Sequence, residues 1–320
     1  MTLKENFIKA LNRQPLKGRV PTFELVFYLT MERFGRIHPA HRNFYQWDQM
    51  SDSERNLHRH DIADLYVTIA REYEHSAIFP RVAINDNFDE LLRGLELIRE
   101  KSGDDYFLMR HGDATFSIPN GNEMLDFSYR MVDDPKGLKQ EADEMVNSAL
   151  EYADKLSKYK LLDGFALCAD YCLNTGPFMS PSQFSDFVAP YLEKLIKGYR
   201  DMGYYTIKHT DGNIMPIIDQ LVQCNPHALH SLDPQAGVDI AEVKKLYGDK
   251  VCLIGNVNCG LLETGTDDEV AESVRYALQS GMPDYGYIFS TSNCVYTGMP
   301  LERYDFMLNI WREEGNYPIL

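Results

Sequence analysis

Apolar and polar positions along the chain alternate between short apolar runs and long stretches of helical period. Phe7, Ile8 and Leu11 recur at helical spacing, which predicts a short amphipathic helix over residues 5–12. Prolines at 15 and 21 interrupt that pattern, and residues 20–27 read as a first strand. Residues 28–56 are polar and aromatic, with Phe34, Phe44, Tyr45 and Trp47, and read as a long excursion suited to a lid or substrate wall. Strand-like apolar runs then follow at 76–82, 106–110, 164–169, 204–209, 228–232, 251–255 and 285–290.

Capped helical patterns separate most of these runs. Asp133-Asp134-Pro135 opens one helix with an acidic cap and a first-turn proline. Ser180-Pro181-Ser182-Gln183 opens another, with Phe184, Phe187, Val188, Tyr191, Leu192 and Leu195 on one face. Thr266-Asp267-Asp268-Glu269 starts a third that runs through Leu278 and ends near Gly281. Eight strand candidates alternating with helices imply a parallel sheet. No GxGxxG follows the first strand and no GxxxxGK[ST] occurs, which removes the main support for a nucleotide-binding open sheet. The expected architecture is α/β: a single (β/α)8 barrel over residues 1–320, with an N-terminal helix and a long insertion after the first strand.

Composition narrows the function without changing this picture. With 320 residues, 44% hydrophobic and 25% charged, the chain can bury a large core as one barrel. The net charge of −16 repels phosphate backbones and anionic lipid, so neither nucleic acid nor a membrane is an expected partner. The start of the chain lacks the apolar core of a signal peptide, and no run is long enough for a membrane span. Six cysteines, all in the second half and without a CxxC pair, read as thiols, and the expected location is cytoplasmic.

In a parallel barrel the residues past each strand's carboxyl end face the active site. Those positions hold Glu24 on the first candidate; His111 and Asp113 after the third; Asp170 and Cys172 after the fourth; and the His209-Thr210-Asp211-Gly212 run after the fifth. His230 and Asp233 flank the sixth, Asn256, Asn258 and Cys259 follow the seventh, and Ser290, Asn293 and Cys294 close the eighth. Asp and Asn at such exits also cap helices, a lone Cys is usually a small buried hydrophobe, and His230 has an equal claim as a core histidine. Together, however, His209, Asp211, Cys259 and Cys294 offer nitrogen, oxygen and sulfur donors that suit zinc.

These residues also carry a resemblance. The Phe7–Arg13 run with Arg19-Val20-Pro21, the run from Asn174 to Pro181, His209-Thr210-Asp211-Gly212-Asn213, Leu253-Ile254-Gly255-Asn256-Val257-Asn258, and Ser290-Thr291-Ser292-Asn293-Cys294 before Gly298-Met299-Pro300 are similar to the uroporphyrinogen decarboxylase superfamily. Within it the chain resembles the corrinoid- and zinc-dependent methyltransferase branch, including O-demethylase components. The resemblance implies a (β/α)8 fold. True decarboxylases of the family carry an arginine-rich stretch after the first strand; here the run Phe23-Glu24-Leu25-Val26-Phe27-Tyr28 has no arginine. An octa-anionic porphyrinogen is therefore not an expected substrate. The branch binds zinc through a His-x-Cys pair and a later Cys, which places ligands at His209, Asp211 (in place of the first Cys) and Cys294, with Glu24 or Cys259 completing the set.

The expected reaction moves a methyl group from a methoxylated aromatic to the cobalt(I) of a corrinoid (cobalamin) on a separate partner protein, with zinc as Lewis acid. Asp170, His111 and His230 are the candidate catalytic residues, placed to position substrate or supply a proton. Asn256 and Asn258 are the candidate cofactor-binding residues. Glu24, Phe27, Tyr28, Phe178 and Tyr296 are the candidate substrate-binding residues, the aromatics among them suiting a planar ring. Two alternatives stay open: a methylcobamide:thiol methyltransferase of the coenzyme M type, and a decarboxylase-like lyase. A homodimer is compatible with either.

Overall fold

The computed structural model describes residues 2–82, 84 and 87–317; the expected domain over 1–320 thus extends to Met1 and residues 318–320, outside that description. Seven parallel strands form the barrel wall: β1 (Ala77–Ile78), β2 (Phe107–His111), β3 (Gly164–Leu167), β4 (Tyr205–Thr210), β5 (Ala228–Ser231), β6 (Cys252–Val257) and β7 (Tyr287–Thr291). Each pairs with its successor, as in Met109 opposite Gly164 and His209 opposite His230. Sequential parallel order with a helix between strands is the (β/α)8 pattern.

The eighth position is filled by residues 20–27, and here the expectation of a regular strand needs correction. The segment makes only isolated bridges, Thr22 to Phe289 and Phe27 to Val295. It nevertheless joins both edges of the sheet: the Phe289 amide donates to the Pro21 carbonyl at 2.8 Å and the Ser76 amide to the Thr22 carbonyl at 2.6 Å. Pro21 has no amide to give to a ladder. Further on, the Thr291 amide donates to the Glu24 carboxyl instead of to backbone. A side chain has replaced a rung of the sheet.

The N-terminal helix, Leu3–Leu11, is capped by Thr2 and Glu5 and plugs the amino end of the barrel. Its Phe7 is fully buried against Phe23 and Phe107. Pro135–Ser157 starts at the Asp134 cap and Asp267–Gly281 at the Thr266 cap, as their sequences predict. The expected helix after Ser180 is two, Pro181–Phe187 and Ala189–Asp201, broken at Val188. Pro190 explains the break, since it cannot donate to the carbonyl four residues back. The buried face from Phe184 to Leu195 survives the kink.

The excursion after residue 28 ends at Ser51, not 56: Ser51 and Glu54 form a capping box that opens the helix Asp52–Glu72. Only the second half of that helix is buried, through Ile62, Leu65, Tyr66, Val67 and Ile69, while its first turns are exposed, so it lacks a continuous apolar stripe. Trp47 is buried, donates to Glu90 and lies under Arg59, which itself pairs with Glu90. The excursion is anchored to the barrel by this cluster.

Candidate functional site

Residues at the carboxyl ends of β3, β4, β5 and β7 converge on one spot. Asp170, His209 and Asp211 each direct a ligand atom to within 4.8 Å of the others, the one such group among the described residues. His209 Nε2 lies 3.8 Å from Asp211 Oδ1. On the other side of the ring, His209 Nδ1 is 2.7 Å from His230 Nδ1. One of these two nitrogens must carry the proton and the other accept it. Burial, with the His209 charge added, holds His230 well below the usual histidine range, so it is neutral. His230 also bonds the Thr291 backbone. The contact through Nδ1 turns His209 Nε2 toward the carboxylates.

Asp211 is held from both sides. The Ser231 hydroxyl donates to Oδ1 at 2.7 Å and the Asn293 amide donates to Oδ2 at 2.5 Å. Its own backbone N–H donates to Asp170 Oδ1 at 3.0 Å, fixing one carboxylate beside the other. Burial raises the Asp211 carboxyl above its ordinary value, and the Asp170 charge adds to the effect. Like charges this close favour a shared proton or a bound cation. The chain turns sharply here: Gly212 has φ +80°, and a Cβ there would meet the Cys172 carbonyl oxygen at 2.4 Å.

Cys294 follows directly, its amide bonded to the Asn293 side chain. Its thiol is pushed up to about 12 by burial, and next by the Asp211 charge. Cys259 is buried and its Sγ points at the Cys294 carbonyl, 3.7 Å away. Both sulfurs lie outside the three-residue donor group, although Cys294 adjoins it. Asp170, expected from the sequence as a catalytic residue, lies among these donors.

The remaining expected residues fall in several places. Glu24 is buried under the mouth, accepting from Ser290 and Thr291, and burial raises its carboxyl to about 8 against those bonds. With Phe27, His38 and His75 it lines a cavity of about 30 Å³, the room of one water. Phe27 is enclosed between Tyr73 and Tyr304. Tyr28 stacks on His41 at 4.6 Å, at the rim. Phe178 is half-buried near Phe127, and Tyr296 is half-buried beside the Cys259 thiol. Asn256 is buried and donates to the Leu232 carbonyl, while the Asn258 side chain caps the helix Cys259–Thr264. His111 is exposed at the end of β2.

One feature of the site escaped the sequence reading. Lys208 is 0% and Asp113 3% exposed, and their side chains meet at 2.8 Å behind the donor group. A lysine inside the apolar strand Tyr205–Thr210 was the available signal, since an unpaired one would not be buried.

A barrel whose strand exits gather a histidine and two carboxylates belongs to the class of barrels with a metal-capable mouth. Residues 116–314, more than half the chain, match the uroporphyrinogen decarboxylase (URO-D) family, and the chain belongs to that family. The matched span contains every member of the donor group and Cys294. The methylcobamide:CoM methyltransferase MtaA of Methanosarcina barkeri (strain Fusaro / DSM 804) is 24% identical over 197 residues, 60% of this chain. The aligned part spans only 55% of that relative's length. A methyltransferase from Methanosarcina mazei shares the fold with a TM-score of 0.76 at 19% identity, over 98% of this chain and 99% of that one.

Two outcomes follow for the buried charges. Replacing Lys208 with Met strands the Asp113 carboxylate and should cost about 3–5 kcal/mol of stability in urea unfolding. A loss under about 1 kcal/mol would mean that the pair is not what supports the mouth.

Glu24 has a folded-state carboxyl near 8 against an ordinary 4.5, so its contribution to stability is complete below 4.5 and lost as pH rises through 8. Glu24→Gln keeps the neutral shape and should flatten the decline in stability between about pH 5 and about pH 8. Parallel curves for the two proteins would show Glu24 ionised without cost.

Proposed function

We propose that the protein transfers a methyl group from a methoxylated aromatic to the cobalt(I) of a corrinoid carried by a separate protein. The observation that carries this reading is the Asp170, His209 and Asp211 donor group at the mouth of a barrel in this family. Similarity to a methylcobamide:CoM methyltransferase supports the corrinoid side of it.

The residues present fit a zinc ion. An imidazole with Nε2 presented beside two crowded carboxylates is a nitrogen–oxygen donor set of the kind zinc takes, and Asp211 is held above its ordinary range by burial. His209, Asp211 and Asp170 would hold the ion, with Cys294 adjoining as a further donor and Cys259 behind it. When bound, the ion supplies Lewis-acid stabilisation of the oxygen that leaves the methyl group.

The chain's own residues do the rest. His230 fixes the orientation of His209, and Ser231 and Asn293 fix Asp211, so the donors need no rearrangement when substrate arrives. Tyr28 and His41 present a flat aromatic stack at the rim, suited to a planar ring. In the transfer the cobalt(I) electron pair forms the new bond to the methyl carbon. The carbon–oxygen bond breaks with its pair on oxygen, and the aryl product leaves as phenolate or takes a proton. The partner must approach from the mouth side, where Met31, Ile37 and Tyr45 of the excursion are exposed apolar side chains.

A thiol acceptor of the coenzyme M type is the second reading, favoured by the name of the relative.

Elemental analysis should find about one zinc per chain, lost in His209→Ala and reduced in Cys294→Ala. A metal-free native protein with full activity would end the zinc assignment.

Mixing the protein with a reduced corrinoid protein and a methoxybenzene should discharge the cobalt(I) absorbance and release free phenol. Discharge by a methylated thiol and by no aryl ether would replace the first reading with the second.

A further inference from the structure

Between β2 and the wall helix Pro135–Ser157 the chain makes an additional helix, Glu123–Asp133. A segment that leaves the carboxyl end of a barrel strand stands at the mouth. Here the link is direct: the Ile118 amide donates to the Asp170 carbonyl at 2.8 Å, so the chain entering the helix is tied to a residue of the donor group. Phe127, the one side chain of the helix that is buried, holds its inner face. It packs on Phe116 at 5.1 Å between ring centroids and faces Phe178 at 6.4 Å.

The opposite face is apolar and open to solvent. Leu125, Tyr129 and Val132 are 67%, 65% and 76% exposed. At about 3.6 residues per turn, their spacing places them in one stripe about a sixth of a turn wide, turned away from Phe127. Among the described residues, only Tyr45 and Leu57 of the large apolar side chains are exposed to the same degree or more. Tyr45 belongs to the excursion and Leu57 to the first turns of the helix after it, so these too stand in segments that follow a strand position at the mouth. An apolar stripe left in water beside a reaction site marks a surface that a partner covers.

Charge selects what can cover it. Asp126 and Asp133 lie along one edge of the stripe and are exposed. The one cation of the helix, Arg130, is held by Glu141 at 2.6 Å. A surface laid on the stripe therefore meets two carboxylates at its rim, and lysine or arginine there completes the contact. A second copy of this chain would bring the same carboxylates and another net charge of −16.

We propose that the helix Glu123–Asp133 is the docking element for the corrinoid protein, whose contacting face is apolar with a lysine- or arginine-bearing edge. The proposal rests on the corrinoid-transfer reading above. A methyl acceptor carried on a protein must be brought to the donor group, and a contact anchored through Ile118 to Asp170 sets the position of that protein over the mouth. Tyr129, central in the stripe, is the kind of rigid, amphipathic side chain that anchors such contacts.

Calorimetric titration with the cobalamin-loaded corrinoid protein of the source organism tests the surface without requiring turnover. The native protein should bind it one to one, and more weakly as salt increases. Leu125→Glu with Val132→Glu should weaken binding at least roughly tenfold. Asp126→Asn with Asp133→Asn should weaken it by a smaller factor and flatten the salt dependence. Free cobalamin in its cobalt(I) form separates docking from chemistry. The Leu125 and Val132 variant should methylate it at the native rate, while its KM for the corrinoid protein rises. Both positions are exposed, and an unchanged thermal unfolding checks the fold. No binding by the native protein, native binding by the variant, or an equal loss with free cobalamin would overturn the proposal. So would a native dimer dispersed by the same two substitutions, which would make the occupant a second copy. Docking weakened as expected, with no methyl transfer from any donor by the native protein, would sink the reaction and leave the surface. Transfer to the corrinoid protein indifferent to the substitutions would do the reverse.

Discussion

A lysine ammonium taken out of water into a barrel wall costs several kcal/mol unless each of its protons finds an acceptor. Lys208 is fully enclosed, and it is satisfied: it donates to Asp113 Oδ2 and to the Ala169 carbonyl, both at 2.8 Å, and lies over the Tyr171 ring. Asp113 in turn accepts from the Ala169 and Thr115 amides and the Thr115 hydroxyl. The pair therefore grips residue 169 by both its amide and its carbonyl. Asp170 is next in the chain, and the Tyr171 amide bonds to Thr210, immediately before Asp211. Two loops that must bring carboxylates together are thus pinned from behind by opposite charges that cannot separate without being stranded.

From that support the electrostatics of the mouth become orderly. Carboxylates pushed together would scatter if they were free to rotate, but hydroxyl, amide and backbone donors occupy their outer lone pairs. Deeper in, Glu24 follows the opposite logic: burial raises its carboxyl to about 8, and it stands in for a missing sheet rung beside Thr291. The neutral His230 sits between these regions, bonded to His209 on one side and near Ser290 on the other. A charged His230 there would repel a cation held by His209; a neutral one orients the ring without that cost.

Much of this was legible in the residues, and the exceptions have physical causes. Seven of the eight strand candidates form paired strands because their apolar, β-branched and aromatic runs are buried on both faces. The first departs because Pro21 cannot pair and Glu24 competes with backbone for Thr291, an exchange that depends on a residue 267 positions away. The helix after Ser180 carries its own breaker in Pro190, visible in the sequence but outweighed by a continuous apolar face. At the site, His209 and Asp211 stand out as a pair two residues apart. Asp170 joins them only through the register of β3 against β4, which no local spacing encodes. Arg81, in the loop after β1, and Arg110, in β2, look like ordinary surface charge until the pocket they line is seen.

The distribution of charge along the chain bears on the kind of ligand its mouth suits. An octa-anionic tetrapyrrole needs positive charge along its whole perimeter, and the run from Phe23 to Tyr28 contributes none. Lys208 is fully buried and committed to Asp113, Ala169 and the Tyr171 ring, so it is not presented to a ligand. Arg81 and Arg110 line one pocket of about 320 Å³ past the ends of β1 and β2. Everywhere else a polyanion would meet the field of a chain with a net charge of −16. Net charge and the arginine-free run after the first strand therefore act in the same direction, against a ligand of many negative charges.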